Sequence, residues 1–166
     1  MTEMADPPTA TRIRLRRVAA ADLPAVRRLL AALGYDHADE AALAEHLTTV
    51  LARPDLAAFL AVDHAGAPLG LIALSQRPMF HLGRTLVTID SLVVANEARG
   101  LGVGGRLLRR ARAFARAHRA VRLEVHTSRS RENYRRGFYP KHGFREADAA
   151  IFRDVGLEDG RRRGSR

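Results

Sequence analysis

The densest group of residues with a possible chemical role is a glycine-rich turn at residues 100–105, directly after Arg99. Glycine lets the backbone approach a ligand closely, and the first turn of a helix has N–H groups without intrahelical partners. Those donors and the positive end of the helix dipole favour an anion. The spacing therefore predicts a site for a ligand that carries phosphates, most directly a pyrophosphate.

Other interpretations of this turn fit the sequence less well. Gly100, Gly102 and Gly105 satisfy G-x-G-x-x-G, and Glu124 follows about 20 residues later, as in a dinucleotide-binding fold. Residues 95–99 separate these glycines from the preceding strand, however, and the six parallel strands of that fold are missing. A nucleoside-triphosphate loop lacks its Gly-Lys-Ser/Thr, and a merely structural turn does not need four glycines in six positions.

Basic residues are concentrated in and after this turn. The chain has 28 Lys and Arg residues against 18 Asp and Glu, for a formal net charge of +10. Between Arg99 and Arg145 there are 14 basic and two acidic residues. Such a positive field favours polyanionic partners and speeds their encounter. Of the Lys and Arg residues, all except Lys141 are arginine. The base composition of the coding sequence therefore explains the overall positive charge as well as a polyanionic partner does.

Nucleic-acid binding through this arginine-rich half is the alternative from a different class of protein. Its affinity would fall steeply with salt. The sequence offers few aromatic side chains on which bases could stack, and many of the basic residues fall on one helix. No nucleic-acid partner is therefore expected.

Length and composition exclude several further classes. The 166 residues fit one domain with its own core. No apolar run reaches the ~18 residues of a membrane span, and residues 1–11 lack the apolar segment of a secretory signal. The absence of cysteine excludes disulfides, thiolate metal sites and a cysteine nucleophile. We expect a cytoplasmic protein with no membrane association and no metal site.

Hydrophobic periodicity predicts the elements that must position the turn. Their order, β-α-α-β-β-β-α-β-α-β, indicates an α+β domain with one mixed, mostly antiparallel central sheet flanked by helices. The domain is expected at residues 12–155, between a flexible tail (1–11) and a disordered basic tail (156–166). The predicted strands are 12–18, 57–62, 69–75, 86–94, 121–126 and 151–155; the predicted helices are 22–34, a segment around 43–51, 102–118 and 133–142.

Two segments of this prediction bear directly on the site. The segment 77–84, between the third and fourth strands, is expected to be a loop. The helix at 102–118 is amphipathic, with a solvated face that carries several arginines. Its predicted buried residues are Val103, Leu107, Leu108, Ala111, Phe114 and Ala115.

Two sequence motifs, at residues 99–104 and 138–144, resemble motifs that occur in the same order in the GNAT-type N-acetyltransferases. Residues 99–104, Arg-Gly-Leu-Gly-Val-Gly, are similar to that family's R/Q-x-x-G-x-G/A pyrophosphate loop. About 30 residues later, residues 138–144, Phe-Tyr-Pro-Lys-His-Gly-Phe, match its F-Y-x-x-x-G-F signature. The strand and helix that flank the loop agree as well, through Ile89, Leu92, Val94, Leu107 and Leu108. The resemblance covers roughly residues 12–155.

The resemblance implies transfer of an acetyl group from acetyl-CoA to a primary amine by direct attack, through a tetrahedral intermediate. Backbone N–H groups of the turn would hold the pyrophosphate, and those of the preceding strand would polarise the thioester oxygen. Asn133 matches approximately the asparagine that contacts the pantetheine arm in many members. The implied cofactor-binding residues are Leu92, Val93, Val94, Arg99, Gly100, Leu101, Gly102, Val103, Gly104, Gly105 and Asn133.

Tyr139 is the implied general acid. A phenol with a pKa of about 10 can protonate a thiolate whose conjugate acid has a pKa of about 8.5–10. The spacing from Asn133 to Tyr139 is one residue shorter than the family's, and Gly137 weakens a helix between them.

The resemblance makes Asp90 the best candidate for the general base, because relatives often carry a glutamate on this strand; an anchor for the cation of the substrate is an equal alternative for it. Strand alternation places Asp90 on the same face as Leu92 and Val94, where burial would raise its pKa. Glu124 on the adjacent strand, or water, is the alternative base, and His81 and His126 are expected near the same cleft.

The acceptor is expected to be a small-molecule amine. The helix end at Gly34-Tyr35 and the Phe80-His81 pair resemble features of aminoalkylphosphonate and aminoglycoside acetyltransferases. A protein or peptide amine is the alternative within the class. A module that binds CoA without turnover is an alternative outside it, and a homodimer is the family default.

Overall fold

The computed structural model describes residues 12–35 and 39–148. The chain divides into two compact units, one ending at Ser128 and the other beginning at Arg129. The two predicted tails and the predicted strand at 151–155 lie outside the described residues. None of the helices in the described ranges is long and apolar enough to cross a membrane.

The first unit contains a five-stranded sheet in the order β1-β2-β3-β4-β5. Every neighbouring pair is antiparallel except β4 and β5, which are parallel. The predicted α+β class with a mixed, mostly antiparallel sheet is therefore confirmed. The strands are β1 (Arg14–Arg17), β2 (Leu56–Val62), β3 (Pro68–Met79), β4 (Arg84–Val94) and β5 (Arg122–Val125), and the helices are α1 (Leu23–Ala32), α2 (Glu40–Ala52) and α3 (Val103–Ala117).

Helix α3 crosses from β4 to β5 and packs very closely on the sheet at Gly70 in β3. A Cβ atom at Gly70 would lie 2.8 Å from the carbonyl oxygen of Val93 and 3.1 Å from Cγ1 of Val103. Only glycine allows this approach, which holds the first turn of α3 against the end of β4. The predicted buried face of α3 is confirmed at all six positions.

The hairpin of β3 and β4 is longer than predicted. The expected loop at 77–84 is wrong, because β3 runs to Met79 and β4 begins at Arg84, with only the short turn Phe80–Leu82 between them. Backbone pairing continues to Met79 opposite Arg84. Arg77 and Pro78 carry no apolar pattern, so the extension is set by pairing between the strands and not by local sequence.

The described part of the second unit contains two short helices, α4 (Glu132–Arg135) and α5 (Phe138–Lys141). The prediction of one continuous helix at 133–142 is wrong. Gly137 lies between the two helices with a φ of +63°, a left-handed conformation that interrupts the right-handed helix. This break determines how Asn133 and Tyr139 are placed.

Candidate active site

The glycine turn between β4 and α3 has the backbone that its sequence predicts. Gly100 and Gly102 adopt φ values of +82° and +77°, which side chains other than glycine rarely tolerate. Gly102 is also the residue directly before α3. Gly100, Leu101 and Gly102 are exposed, so a ligand can reach this stretch of backbone.

The start of α3 offers hydrogen-bond donors to an anion. Its first backbone bond runs from the N–H of Arg106 to the carbonyl of Gly102, at 3.2 Å. The N–H groups of Val103, Gly104 and Gly105 precede that bond and have no intrahelical acceptor. The helix has 15 residues, and its first turn carries no acidic side chain that would offset the positive end of its dipole. This arrangement suits a pyrophosphate.

The last residues of β4 have one free edge. The β4–β5 pairing covers only Leu86–Ile89 of β4, opposite Arg122–Val125. In the described part of the chain, residues 91–94 of β4 are paired with β3 alone. Leu92, Val93 and Val94 lie in this stretch, so backbone groups on its second edge are available to a ligand.

Asp90 occupies a β-bulge. Ser91 pairs with Ala73 and Ile89 pairs with Leu74, which leaves Asp90 as an extra residue in β4. Its Oδ1 accepts a hydrogen bond of 2.9 Å from the hydroxyl of Ser75 in β3. The side chain of Asp90 thus lies on the same face of the sheet as that of Ser75.

The prediction that Asp90 shares a face with Leu92 and Val94 is wrong. Leu92 and Val94 pair with Ile72 and Gly70, which alternate with Ser75 along β3 and so lie on its other face. The bulge is the cause, because one extra residue reverses the alternation on its two sides.

The face that carries Asp90 is polar where β3, β4 and β5 meet. Ser75 pairs with Thr88, and Thr88 pairs with Glu124, so the three side chains form a row across the strands. The carboxylate of Glu124 lies 3.8 Å from the guanidinium of Arg122. The two candidate bases, Asp90 and Glu124, therefore lie on the same face of the sheet.

Asp90 is an exposed residue whose carboxylate is partly desolvated. Burial of its carboxylate raises the pKa of Asp90 above the usual value, and the Ser75 hydrogen bond and the charge of His126 oppose that rise. His81, by contrast, is exposed in the turn between β3 and β4.

Tyr139 lies buried in the second unit. Its ring packs edge-on against those of Phe138 and Phe144, with centroids 5.2 Å and 5.9 Å away. The side-chain amide of Asn133 donates to its hydroxyl oxygen at 3.5 Å. Burial raises the pKa of Tyr139, and the charge of Arg131 opposes that rise. The hydroxyl is therefore held protonated, as a general acid requires.

Sequence reasoning missed Ser75 and Gly70. A glycine inside an apolar strand is a signal for close backbone approach, so Gly70 could have been found. Ser75 has no such signal, because its contact with Asp90 depends on strand register and on the bulge. Among the described residues, no group of three or more His, Cys, Asp or Glu side chains is placed to hold a metal ion.

Known acetyltransferases share this fold. The acetyltransferase (GNAT) family profile matches residues 16–144. A putative acetyltransferase from Agrobacterium tumefaciens str. C58 has 24% identity and a TM-score of 0.74, over 85% of this chain and 99% of that one. The aminoglycoside 6'-N-acetyltransferase AAC(6')-Ih from Acinetobacter baumannii has 14% identity and a TM-score of 0.73, over 86% and 97%.

A third similar structure is the aminoglycoside acetyltransferase meta-AAC0020 from an uncultured soil metagenomic sample, with 20% identity and a TM-score of 0.71 over 86% of this chain and 95% of that one. At these identities the structures establish the fold alone. No curated protein sequence matches the chain significantly. The chain therefore has a fold that acetyltransferases share. Because the family profile covers most of its length, the chain belongs to the GNAT acetyltransferase family.

Proposed function

We propose that the protein is an N-acetyltransferase that transfers the acetyl group of acetyl-CoA to a primary amine of a small molecule. The observation that carries this proposal is the left-handed glycine turn, which leads from a strand with one free edge into the donor end of α3. Such a turn supplies backbone donors for a pyrophosphate, and the free edge supplies them for a carbonyl oxygen.

Acetyl-CoA would be held mainly by backbone groups of this chain. The N–H groups of residues 100–105 would bind the pyrophosphate, with the exposed side chain of Arg99 beside them. The free edge at Leu92, Val93 and Val94 would bind the acetyl end and the adjoining pantetheine. Asn133, whose Oδ1 is buried and has no hydrogen-bond partner among the described residues, would contact the pantetheine arm.

The reaction needs two protons removed from the acceptor nitrogen and one supplied to the leaving sulfur. Asp90, or Glu124 directly or through water, takes a proton from the acceptor's ammonium group, and the nitrogen keeps the electron pair. That pair attacks the thioester carbon, and β4 N–H groups stabilise the charge that develops on oxygen. When the carbon–sulfur bond breaks, the hydroxyl of Tyr139 protonates the thiolate, and the nitrogen gives its second proton to the resulting phenolate, directly or through water.

The acceptor class is supported by the polar face of β3, β4 and β5. Asp90 and Glu124 are carboxylates on one face of the sheet, and they suit a cationic amine. Two of the similar structures are acetyltransferases of aminoglycosides, which carry several amino groups. A peptide amine remains the alternative acceptor. A homodimer and a cytoplasmic location stay predictions.

Thermal unfolding in the presence of acetyl-CoA tests the cofactor part of this proposal. A ligand at 100 times its Kd stabilises the native state by about 2.7 kcal/mol, so acetyl-CoA should raise the Tm, whereas NAD and DNA should not. The variant Gly102→Val should lose this shift. Gly66→Val is the matched control, because Gly66 also has a positive φ and open space around its Cβ position but lies in the β2–β3 turn.

Turnover is tested by measuring CoA release with a panel of small amines, aminoglycosides and peptides. Acetyl-CoA-dependent release with a small amine supports the proposal. A Tm shift with NAD or DNA and none with acetyl-CoA would overturn it.

A further inference from the structure

Ser75 and Asp90 are joined across the β3–β4 pairing by a hydrogen bond of 2.9 Å from Oγ to Oδ1. Ser75 is half-buried, in a strand whose neighbouring residue Leu74 is fully buried, so its backbone is firmly held. Asp90 is the extra residue of the bulge and has no partner in the register. The serine thus anchors a side chain that strand pairing alone does not orient.

The bulge is what makes this contact useful. Ser75 is opposite Thr88, and Asp90 lies diagonally across from it. A bulge turns the extra side chain and increases the local twist of the strand. Here it directs Asp90 to the polar face, next to the stretch of β4 that has a free edge. The carboxylate and the acetyl-binding backbone are therefore only a few residues apart on one strand.

We infer that Ser75 is a positioning residue, which binds Oδ1 of Asp90 and so leaves Oδ2 to accept the proton of the acceptor amine. This inference rests on the proposed function, in which Asp90 is the base. In the step, a nitrogen–hydrogen bond of the ammonium breaks and an oxygen–hydrogen bond to Oδ2 forms. The serine keeps its own proton throughout, so it orients the base without exchanging a proton with the substrate.

The charged groups near Asp90 determine how the loss of Ser75 changes its titration. The strands bring Arg77, on the same face of β3, and Glu124 of β5 to this region, and His126 follows β5. Burial raises the pKa of Asp90, and the Ser75 hydrogen bond lowers it because it stabilises the carboxylate. Without the serine hydroxyl, the carboxylate should bind its proton more tightly. The acid limb of the pH profile of kcat/KM should then move to higher pH.

The experiment compares Ser75→Ala, Ser75→Thr and Asp90→Asn in the full-length chain, with the best amine from the acceptor panel. Ser75→Ala should move the acid limb to higher pH and lower kcat about tenfold, the range for a hydrogen bond to a charged group. The KM for acetyl-CoA should stay within about twofold, because that site uses other backbone. Ser75→Thr keeps a hydroxyl, so its acid limb and its kcat should be those of the parent protein.

A carbon-13 NMR titration of the Asp90 carboxyl group tests the contact without turnover. Its midpoint should be higher in Ser75→Ala than in the parent protein and in Ser75→Thr. In one outcome, Asp90→Asn is inactive while Ser75→Ala changes neither the titration midpoint of Asp90 nor the acid limb of kcat/KM. That result refutes the role of Ser75 and leaves the proposed function standing. If Asp90→Asn keeps full activity, Asp90 is not the base, and the inference fails with that assignment.

Discussion

The side-chain amide of Asn133 lies 3.5 Å from the hydroxyl oxygen of Tyr139, six residues further along the chain. In a regular helix with 3.6 residues per turn, residues six apart point in different directions. The contact exists because Gly137 adopts a left-handed conformation and turns the chain between α4 and α5. The hydroxyl is thus oriented by a break in the helix.

Replacing Gly137 should therefore affect both stability and catalysis. A left-handed conformation costs an ordinary residue about 1–2 kcal/mol, and asparagine pays less than alanine or valine. Since the space around the Cβ position is open, strain and not a clash is the cause. We expect the free energy of unfolding in urea, and kcat, to fall in the order Gly, Asn, Ala, Val.

Gly83 provides a matched control for this series. It has a φ of +58° and open space around its Cβ position, in the turn between β3 and β4. Gly83→Ala should lose a similar amount of stability and keep its kcat. A Gly137→Ala variant with the kcat of the parent protein would contradict the coupling between the helix break and Tyr139.

Replacing Tyr139 by phenylalanine should lower kcat by about 10²–10³-fold, within the usual range for a general acid. The aromatic ring remains between Phe138 and Phe144, so the Tm should change little. Burial raises the pKa of Tyr139, and the acid must be protonated to act. A basic limb from this group should thus lie above its ordinary pKa of about 10 and be missing in the variant.

Tyr134→Phe is the control, because the hydroxyl of Tyr134 donates to Glu146 at 2.9 Å and has no assigned role in the reaction. It should leave kcat nearly unchanged. An unchanged kcat in Tyr139→Phe would remove Tyr139 from the mechanism.

The parts of the site that could be predicted are those set by neighbouring residues in the chain. The glycine turn and the buried face of α3 depend on local conformation and on a helical period, and both are visible in the sequence. The orientation of Asp90 depends on a single extra residue in a strand, which apolar alternation does not reveal. The length of the β3–β4 hairpin likewise depends on pairing between the two strands, which continues to Met79 opposite Arg84 and which the residues there do not reveal.

Gly70→Ala should weaken acetyl-CoA binding from a distance. Its Cβ would lie 2.8 Å from the backbone oxygen of Val93 and 3.2 Å from Cδ1 of Leu107, so β4 or α3 must shift. Overpacking of this kind costs about 1–3 kcal/mol of stability. If about 1 kcal/mol of it reaches the first turn of α3, the Kd for acetyl-CoA rises about fivefold.

Isothermal titration of Gly70→Ala and of Gly66→Ala separates the two effects. Gly66 has a positive φ, so Gly66→Ala also loses stability, but it should keep the Kd of the parent protein. Equal values of Kd in all three proteins would show that the packing of α3 on Gly70 does not support the binding turn.

Asp90→Asn should make the protein more stable at neutral pH. The same substitution removes the carboxylate that would accept the proton. Because the pKa of Asp90 is raised in the folded state, ionisation of Asp90 destabilises the fold. This penalty is absent below the ordinary pKa of 3.8, develops as the pH rises through the raised value, and persists above it. In urea at pH 7 the variant should therefore have a larger free energy of unfolding than the parent protein. The difference between the two proteins should shrink as the pH is lowered toward 4.

Asp22→Asn is the control of opposite sign. Arg16 binds the Asp22 carboxylate at 2.6 Å and lowers its pKa, so the ionised form of Asp22 stabilises the fold. That contribution is present above the ordinary pKa and is lost as the pH falls through the lowered value. Asp22→Asn should thus be less stable than the parent protein at pH 7. If Asp90→Asn is also less stable than the parent protein at pH 7, ionisation of Asp90 does not destabilise the fold. The pKa of Asp90 would then not be raised, and this argument for Asp90 as the base would fail.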